Sequence, residues 1–336
     1  MNWLDKFKYN PRQPLIKSQN TALIYFTNRD LLGKKVSSVD RLRELTEVNK
    51  IIKKQTPDGF WPSKKKDVHS AQNYNLIETW KQFRFLVEKY ELDRNQEGIE
   101  KAAEYIFSCQ TDEGDIRGFL GNQYAAYYTG ALLSLLIKAG YENDQRIEKG
   151  FKWLLSVRQN DGGWIGSPMV LLPWDEQITL TTTTKETLKT WDKTKPFCLN
   201  STGMIIRAFA AHNSYKKSTA AKKAANLLKQ HFFLENNYTT YKHKDHWLFF
   251  QFPYWWNNIV SALDSVSLIF EDQNDEDIKK AVDWLINHQE ESGLWKISYS
   301  KIHKNTNTLK TQEAQLWITL VICRILKRIF SASDSD

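Results

Sequence analysis

The feature that most constrains this chain is a corner that recurs along it. "EVNKIIKKQTPDGFW" ends at Trp61, "KAAEYIFSCQTDEGDI" at Ile116, "KGFKWLLSVRQNDGGW" at Trp164 and "KAVDWLINHQEESGLW" at Trp295. Each segment is an amphipathic helical run, then Gln, then an acidic or Gly-bearing turn, and in three of the four a Trp follows. The glutamines, Gln55, Gln110, Gln159 and Gln289, lie 55, 49 and 130 residues apart. A worn fifth copy, "KKAANLLKQHFF", places Gln230 inside the long gap. The period of about 50 residues is the length of a helical hairpin with its loops. Because the corner recurs, the Gly pair and Asp of "RQNDGGWIGSP" (158–168) read as requirements of the fold rather than as a ligand loop.

Between the repeat helices the pattern predicts a second set near 74–90, 124–140, 200–213, 255–270 and 312–330, with an N-terminal helix near 18–33. Repeat helices carry charge along one side, as in "DEDIKKAVDWL". The intervening ones, such as "CLNSTGMIIRAFAA" and "WWNNIVSALDSVSLI", are apolar nearly all round, which implies burial on several sides. Half-polar helices alternating with apolar ones suggest two concentric layers. Strand alternation is rare. The Thr-rich "QITLTTTTKETLKTW" (177–191) reads as an extended loop with a short hairpin. No linker divides the chain, so it reads as one domain over 1–336, with a disordered tail at 331–336.

Of the 336 residues 41% are hydrophobic and 13% aromatic, including 13 Trp, a globular composition rich in large rings. The net charge of +8 is compatible with peripheral contact with anionic lipid. The basic residues are scattered, however, and the short run Lys64–Lys66 reads as solvated surface, so no nucleic-acid partner is expected. Three distant cysteines, Cys109, Cys198 and Cys323, with no C-x-x-C pair, argue against a disulfide framework or structural zinc module and for a reducing compartment. "MNWLDKFKYNPRQPLIK" has no apolar signal core, and no uncharged apolar run reaches the roughly 20 residues of a membrane span. The expectation is a soluble, cytoplasmic protein.

The pattern K-[AG]-x-x-aromatic-apolar followed by Q-x(2–4)-G-x-W resembles the QW repeats of the squalene–hopene cyclase and protein prenyltransferase superfamily. "KGFKWLLSVRQNDGGW" and "KAVDWLINHQEESGLW" carry the resemblance most strongly, and it covers roughly residues 40–330. The chain is also similar to prokaryotic proteins with squalene-cyclase-like repeats, through "KKQTPDGFW", "YTGALLSLLIKAGYENDQRIEKGFKWL" and "LWITLVICRILKR". The resemblance implies an all-α fold, an α/α toroid of five to six helical hairpins with inner and outer helices, in which residues 1–39 form an N-terminal helical extension that closes the ring. It also implies an isoprenoid or other apolar ligand.

The superfamily's chemistry is only partly present. Cationic cyclases use a D-x-D-D acid motif, and no such stretch occurs. "DEGD" (112–115) lies in a repeat turn, and "EDQNDED" (271–277) reads as a loop running into an acidic helix start. Protein prenyltransferases hold zinc through Asp, Cys and His; Asp192, Cys198 and His212 have the residue types but not the spacing, so neither metal nor cofactor is expected. The competing reading of Cys198 is a small buried thiol.

Candidate acids on the intervening helices are Asp264 and Glu78. With Glu313 they also leave open a two-carboxylate, carbohydrate-active toroid. Asp264, in the apolar run "SALDSVSLI", is either hydrogen-bonded structure or a functional acid. The aromatic clusters are more informative. Tyr124, Tyr127 and Tyr128 in "YAAYY", Tyr254, Trp255 and Trp256 in "FPYWW", Phe197 and Trp317 fall at or near starts of intervening helices, beside Cys198. They form either an apolar pocket able to stabilise a cation or a plug of core. Arg207, in an apolar helix, needs an anion, either Asp264 or a ligand diphosphate. Three functions stay open: an enzyme of terpene-cyclase or prenyltransferase type, a non-catalytic lipid- or peptide-binding toroid, and a carbohydrate-active barrel.

Overall fold

The computed structural model describes residues 3–65, 71–182, 190–238, 242–270, 275–301, 303 and 305–332. Lys66, the Thr-rich stretch over 183–189, the acidic loop at 271–274 and the tail from 333 lie outside the described residues. Among the described residues the fold is all-α, with isolated bridges and no strand. The helices are α1 (Arg12–Ile16), α2 (Thr21–Phe26), α3 (Thr46–Ile52), α4 (Tyr74–Tyr90), α5 (Glu97–Ser108), α6 (Ala126–Leu136) and α7 (Gln145–Ser156). They continue with α8 (Trp174–Thr182), α9 (Leu199–Ala211), α10 (Thr219–Lys229), α11 (Ile259–Ile269), α12 (Glu276–Asn287) and α13 (Leu309–Ala332). No helix among the described residues is long and apolar enough to cross a membrane. The chain forms two compact units, one of residues 39–224 and one of residues 1–38 with 225–336.

At Gln55 and Gln110 the recurring corner makes the same pair of side-chain bonds, whereas Gln159 bonds the loop before α9. In the 39–224 unit the Gln55 side-chain amide donates to the Gly59 carbonyl of its own turn and to the Gly98 carbonyl in α5, each at 2.8 Å. Gln110 does the same with Gly114 and with Arg146 in α7, each at 2.9 Å. Gln159 donates to the Asp192 and Lys195 carbonyls. The indoles of Trp61 and Trp164 donate to Ile51 and Leu154 carbonyls near the ends of α3 and α7, satisfying acceptors a helix terminus leaves open. A threonine hydroxyl on the following apolar helix then receives the backbone amide at the corner: Thr79 from Trp61, Thr129 from Ile116, Thr202 from Trp164. The corner Gly has positive φ, 115° at Gly114, and a Cβ there would sit 2.5 Å from the Lys149 carbonyl oxygen of α7. A glycine is required both by the turn and by the approach of the next repeat.

The repeat helices α5 and α7 bury one face (Ile99, Ala102, Ala103, Ile106 and Phe107 in α5), as their charge pattern predicts. In α9 every residue from Leu199 to Ala210 is buried. Helices α6 and α9 pack so closely that a Cβ on Gly130 would lie 2.6 Å from the Ile205 Cα. The second unit uses the same corner at its last repeat. Gln289 donates to the Gly293 carbonyl and to the Tyr9 carbonyl, Trp295 donates to Leu285, and Thr319 of α13 receives the Trp295 amide. Helix α13 packs on α1, α2 and α11, and Arg324 bonds Asp30 at 2.8 Å while lying over the Phe26 ring.

One reading changes. The expected extended stretch from 177 begins as helix, because α8 runs through Thr182. The Thr179, Thr181 and Thr182 hydroxyls donate to carbonyls four residues back, Asp175, Gln177 and Ile178. That local bonding lets a threonine run with high strand propensity adopt a helix.

Candidate functional site

In the 39–224 unit, the starts of α4 and α6 bring aromatic rings together. The Tyr128 ring stacks on Phe119 with centroids 4.1 Å apart, meets Trp80 edge-on at 5.3 Å and lies 4.3 Å from Tyr127. Trp80 and Phe119 are buried, whereas Tyr127 and Tyr128 are half-buried. Desolvation among these rings pushes the Tyr128 phenol well above its ordinary range, so it stays a neutral hydrogen-bonding group. Phe197 and Cys198 are buried immediately before α9, held there by the corner: Asp161 accepts the Phe197 amide and the Trp164 carbonyl accepts the Cys198 amide. Tyr124 stands apart from this group. Its hydroxyl donates to Glu113, Arg117 lies over its ring at 5.0 Å, and Trp153 and Trp191 flank it.

Glu78 lies in the first half of α4, bonded to Gln82 at 2.6 Å and paired with Lys81 at 3.2 Å. It lines a groove of about 1,020 Å³ whose apolar surface comes from Trp61, Pro62, Tyr74 and Ile77 and whose lysines include Lys54 and Lys65. Arg207 is buried in α9. Close enough to feel its charge is Arg84 of α4, also buried, whose guanidinium lies 5.2 Å from the Trp80 ring centre. Burial lowers Arg84 to about 10, against the pull of Glu88 and with a further push from Arg207. Glu88 in turn holds Lys138 at 2.7 Å. Sequence reasoning passed over Arg84 and Glu88. Their signal was two charges one turn apart in the otherwise apolar end of "WKQFRFLVEKY".

In the other unit, both carboxylate oxygens of Asp264 are engaged. Arg328 of α13 bonds one at 2.6 Å and the Tyr254 hydroxyl donates to the other at 3.1 Å. Trp317 is fully buried, stacked 5.9 Å from Phe252, and its indole donates to Glu313. Tyr254 is buried, whereas Trp255 and Trp256 are half-buried in the segment that leads into α11.

Trp256 also walls a cavity of about 330 Å³ that the sequence did not reveal. Two loops build it. Phe250 and Tyr299 donate backbone bonds to Ile297 and Leu248, which ties the loop before α11 to the loop before α13. Asp245, Asn257 and Asn258, all buried, and Phe249 are part of its lining. Three of the chain's seven histidines, His243, His246 and His303, line it. The signal in the sequence was the short "HKDH" (243–246), which has no periodicity and a distant partner.

The Asp245 carboxylate accepts from the Lys301 amide at 2.9 Å and the Ser300 hydroxyl at 3.3 Å. His246 Nδ1 is 2.7 Å from the His243 carbonyl, which only accepts, so Nδ1 carries the proton and Nε2 is the ring's acceptor. Burial lowers the His246 pKa, which favours this neutral form. No group of three or more His, Cys, Asp or Glu side chains among the described residues is arranged to hold a metal ion.

No protein-family model matches the chain, and no curated protein matches it. Among solved structures it is similar to a protein from Actinoplanes, at 13% identity and a TM-score of 0.48, covering 98% of this chain and 90% of that one. It is also similar to a variant of the type II terpene cyclase MstE from Scytonema, at 11% identity and a TM-score of 0.49, covering 99% of this chain and 87% of that one. A second MstE variant, solved with geranylgeranyl dihydroxybenzoate, matches at 11% identity and a TM-score of 0.46, with the same coverage.

Proposed function

We propose that the protein is a terpenoid-cyclase- or prenyltransferase-like α/α toroid that binds an isoprenoid or other apolar ligand at the starts of its intervening helices. The observation that carries this reading is the ring cluster of Trp80, Phe119, Tyr127 and Tyr128. Trp80 and Phe119 are buried against Tyr128, and Tyr127 and Tyr128 form a half-buried aromatic surface. Held in place by a buried neighbour, such a surface loses little freedom when it receives an apolar chain. We assign the ligand's anionic end, where it has one, to Arg207 beside Arg84. Within its unit, the Gln289 bond to Tyr9 repeats between the last corner and the N-terminal segment the bridge that Gln55 and Gln110 make to the next repeat.

Binding is favoured over protonation-initiated cyclisation, because the chain has no D-x-D-D and Asp264 is occupied by Arg328 and Tyr254. The test is thermal unfolding of the purified protein with geranylgeraniol and with geranylgeranyl diphosphate, alongside mass spectrometry of the extracted organic phase. A rise in Tm with either lipid that Tyr128→Ala abolishes, with the lipid recovered unchanged, is the expected result. A cyclised product would replace the binding reading with the enzymatic one, and no shift with either lipid would overturn both.

A further inference from the structure

The groove lined by Glu78 is separate from the ring cluster, because none of Trp80, Phe119, Tyr127 and Tyr128 lines it. Its lining comes from the end of α3, the segment 61–65 and the first half of α4. Hydrogen bonds fix that segment to both helices. The Trp61 amide donates to the Thr79 hydroxyl at 3.0 Å, the Ser63 amide to the Asn75 side-chain oxygen at 2.9 Å, and the Trp61 indole to the Ile51 carbonyl at 2.8 Å. A groove built in advance loses little freedom when it is filled. Its volume of about 1,020 Å³ exceeds the roughly 300–1,000 Å³ of small-molecule sites.

Charge sets the sign of the occupant. Four lysines line the groove, Lys54, Lys64, Lys65 and Lys81, against one carboxylate, Glu78, which Lys81 and Gln82 already engage. Among the described residues Lys54, Lys64 and Lys65 have no ion-pair partner. From the sequence alone Lys64 and Lys65 read as solvated surface, but the fold sets them in one lining with Ile51, Tyr74 and Ile77. The lysines are also spread along the groove. Lys65 Nζ lies 5.6 Å from the Tyr74 ring centre, and Lys81 follows Tyr74 by two turns of α4, about 10 Å. A single phosphate or carboxylate headgroup is too small to meet both ends. Three residues of an extended peptide cover about the same 10 Å, so carboxylates spaced along one strand reach successive lysines while apolar side chains between them pack on Ile51, Pro62 and Ile77. A nucleic-acid strand would need open ring faces to stack on, whereas Trp61 is buried and Lys65 lies over Tyr74. A bilayer presents a flat surface, whereas this lining is concave.

We infer that this groove is a docking site for an extended segment of a partner protein in which acidic and apolar residues are interleaved, its carboxylates meeting Lys54, Lys64 and Lys65. The inference is independent of the apolar-ligand reading and concerns a second site.

The test uses the full chain and fluorescence anisotropy of a labelled, end-capped peptide, Glu-Leu-Glu-Leu-Glu-Leu, with protein added to about 200 µM, which half-fills a site whose Kd is of that size. Saturable binding is expected, weakened severalfold when salt is raised from about 0.1 M to about 1 M and the Debye length falls from about 10 Å to about 3 Å. Lys54→Glu and Lys65→Glu together, at exposed positions where folding is not at risk, are expected to weaken it at least tenfold. A Glu-Ser peptide of the same length and charge is expected to bind at least fivefold more weakly, and a Lys-Leu peptide not at all. Absence of Glu-Leu binding would overturn the inference, as would binding unchanged in the double variant. Equal binding of the Glu-Ser or the Lys-Leu peptide would also overturn it. So would an oligothymidylate that binds more tightly than the peptide and is released by the same two substitutions.

Discussion

At the residue scale, the corner glutamine and tryptophan are structural parts with quantifiable weight. Trp164 is fully buried and its indole closes the end of α7. Trp164→Ala should therefore cost about 3–5 kcal/mol. Gln159→Ala strands the Asp192 and Lys195 carbonyls and should cost about 1–3 kcal/mol. Trp174, 72% exposed on α8, provides the contrast and should be nearly neutral as alanine. Urea unfolding of the three variants checks the order. A Trp164→Ala protein as stable as the wild type would remove the structural reading of the corner. Gln159 and Trp164 were legible in sequence because they recur. Arg84, Glu88 and the three cavity histidines occur once each in their contexts, and a single occurrence does not separate a functional group from a solvated one.

At the element scale, each helix pair is joined through its ends, and α7 shows how charge supports this. The Asp144 side chain caps α7 by accepting the Arg146 amide, while the Arg146 guanidinium bonds both Asp144 and Glu104. The Arg146 carbonyl is also the acceptor for Gln110. Asp144→Ala should cost about 1 kcal/mol through the lost cap. The bonded Arg146 holds the Asp144 carboxyl below its ordinary 3.8. A depressed carboxyl contributes its stability fully above the unfolded pKa and loses it as pH falls through the folded one. The wild-type advantage over Asp144→Asn should therefore be constant from neutral pH to about pH 5 and shrink below pH 4. Denaturation midpoints measured across that range test it, and an advantage that grew on acidification would contradict it. Helix positions were read from periodicity to within a few residues: α4 occupies the expected 74–90, and α9 runs Leu199–Ala211 against the expected 200–213. Helix α8 was missed because strand propensity at Thr179–Thr182 was outweighed by hydroxyl bonds to the preceding turn.

At the scale of the whole molecule, the N-terminal segment belongs with the C-terminal helices. Leu15, Leu23 and Phe26 are fully buried, Asp30 holds Arg324, and Tyr9 completes the corner of Gln289. Removal of residues 1–38 should therefore unfold α12 and α13 together. Amide hydrogen exchange would show protection lost over 276–332 in the truncated chain, and wild-type protection there would refute it.

The sequence by itself determined the all-α class, the pairing of half-polar with apolar helices and the residues of the repeated corner. These depend on interactions within one or two helical turns, or on a pattern written several times, and both leave a period in the chain. Tertiary structure alone decided where single residues meet. It joined Asp245 to Ser300 and Lys301, more than 50 positions away, and gave Asp264 to Arg328. Such contacts are made by loops that no periodicity governs, and the side chains there are chosen by neighbours that only the folded chain brings near.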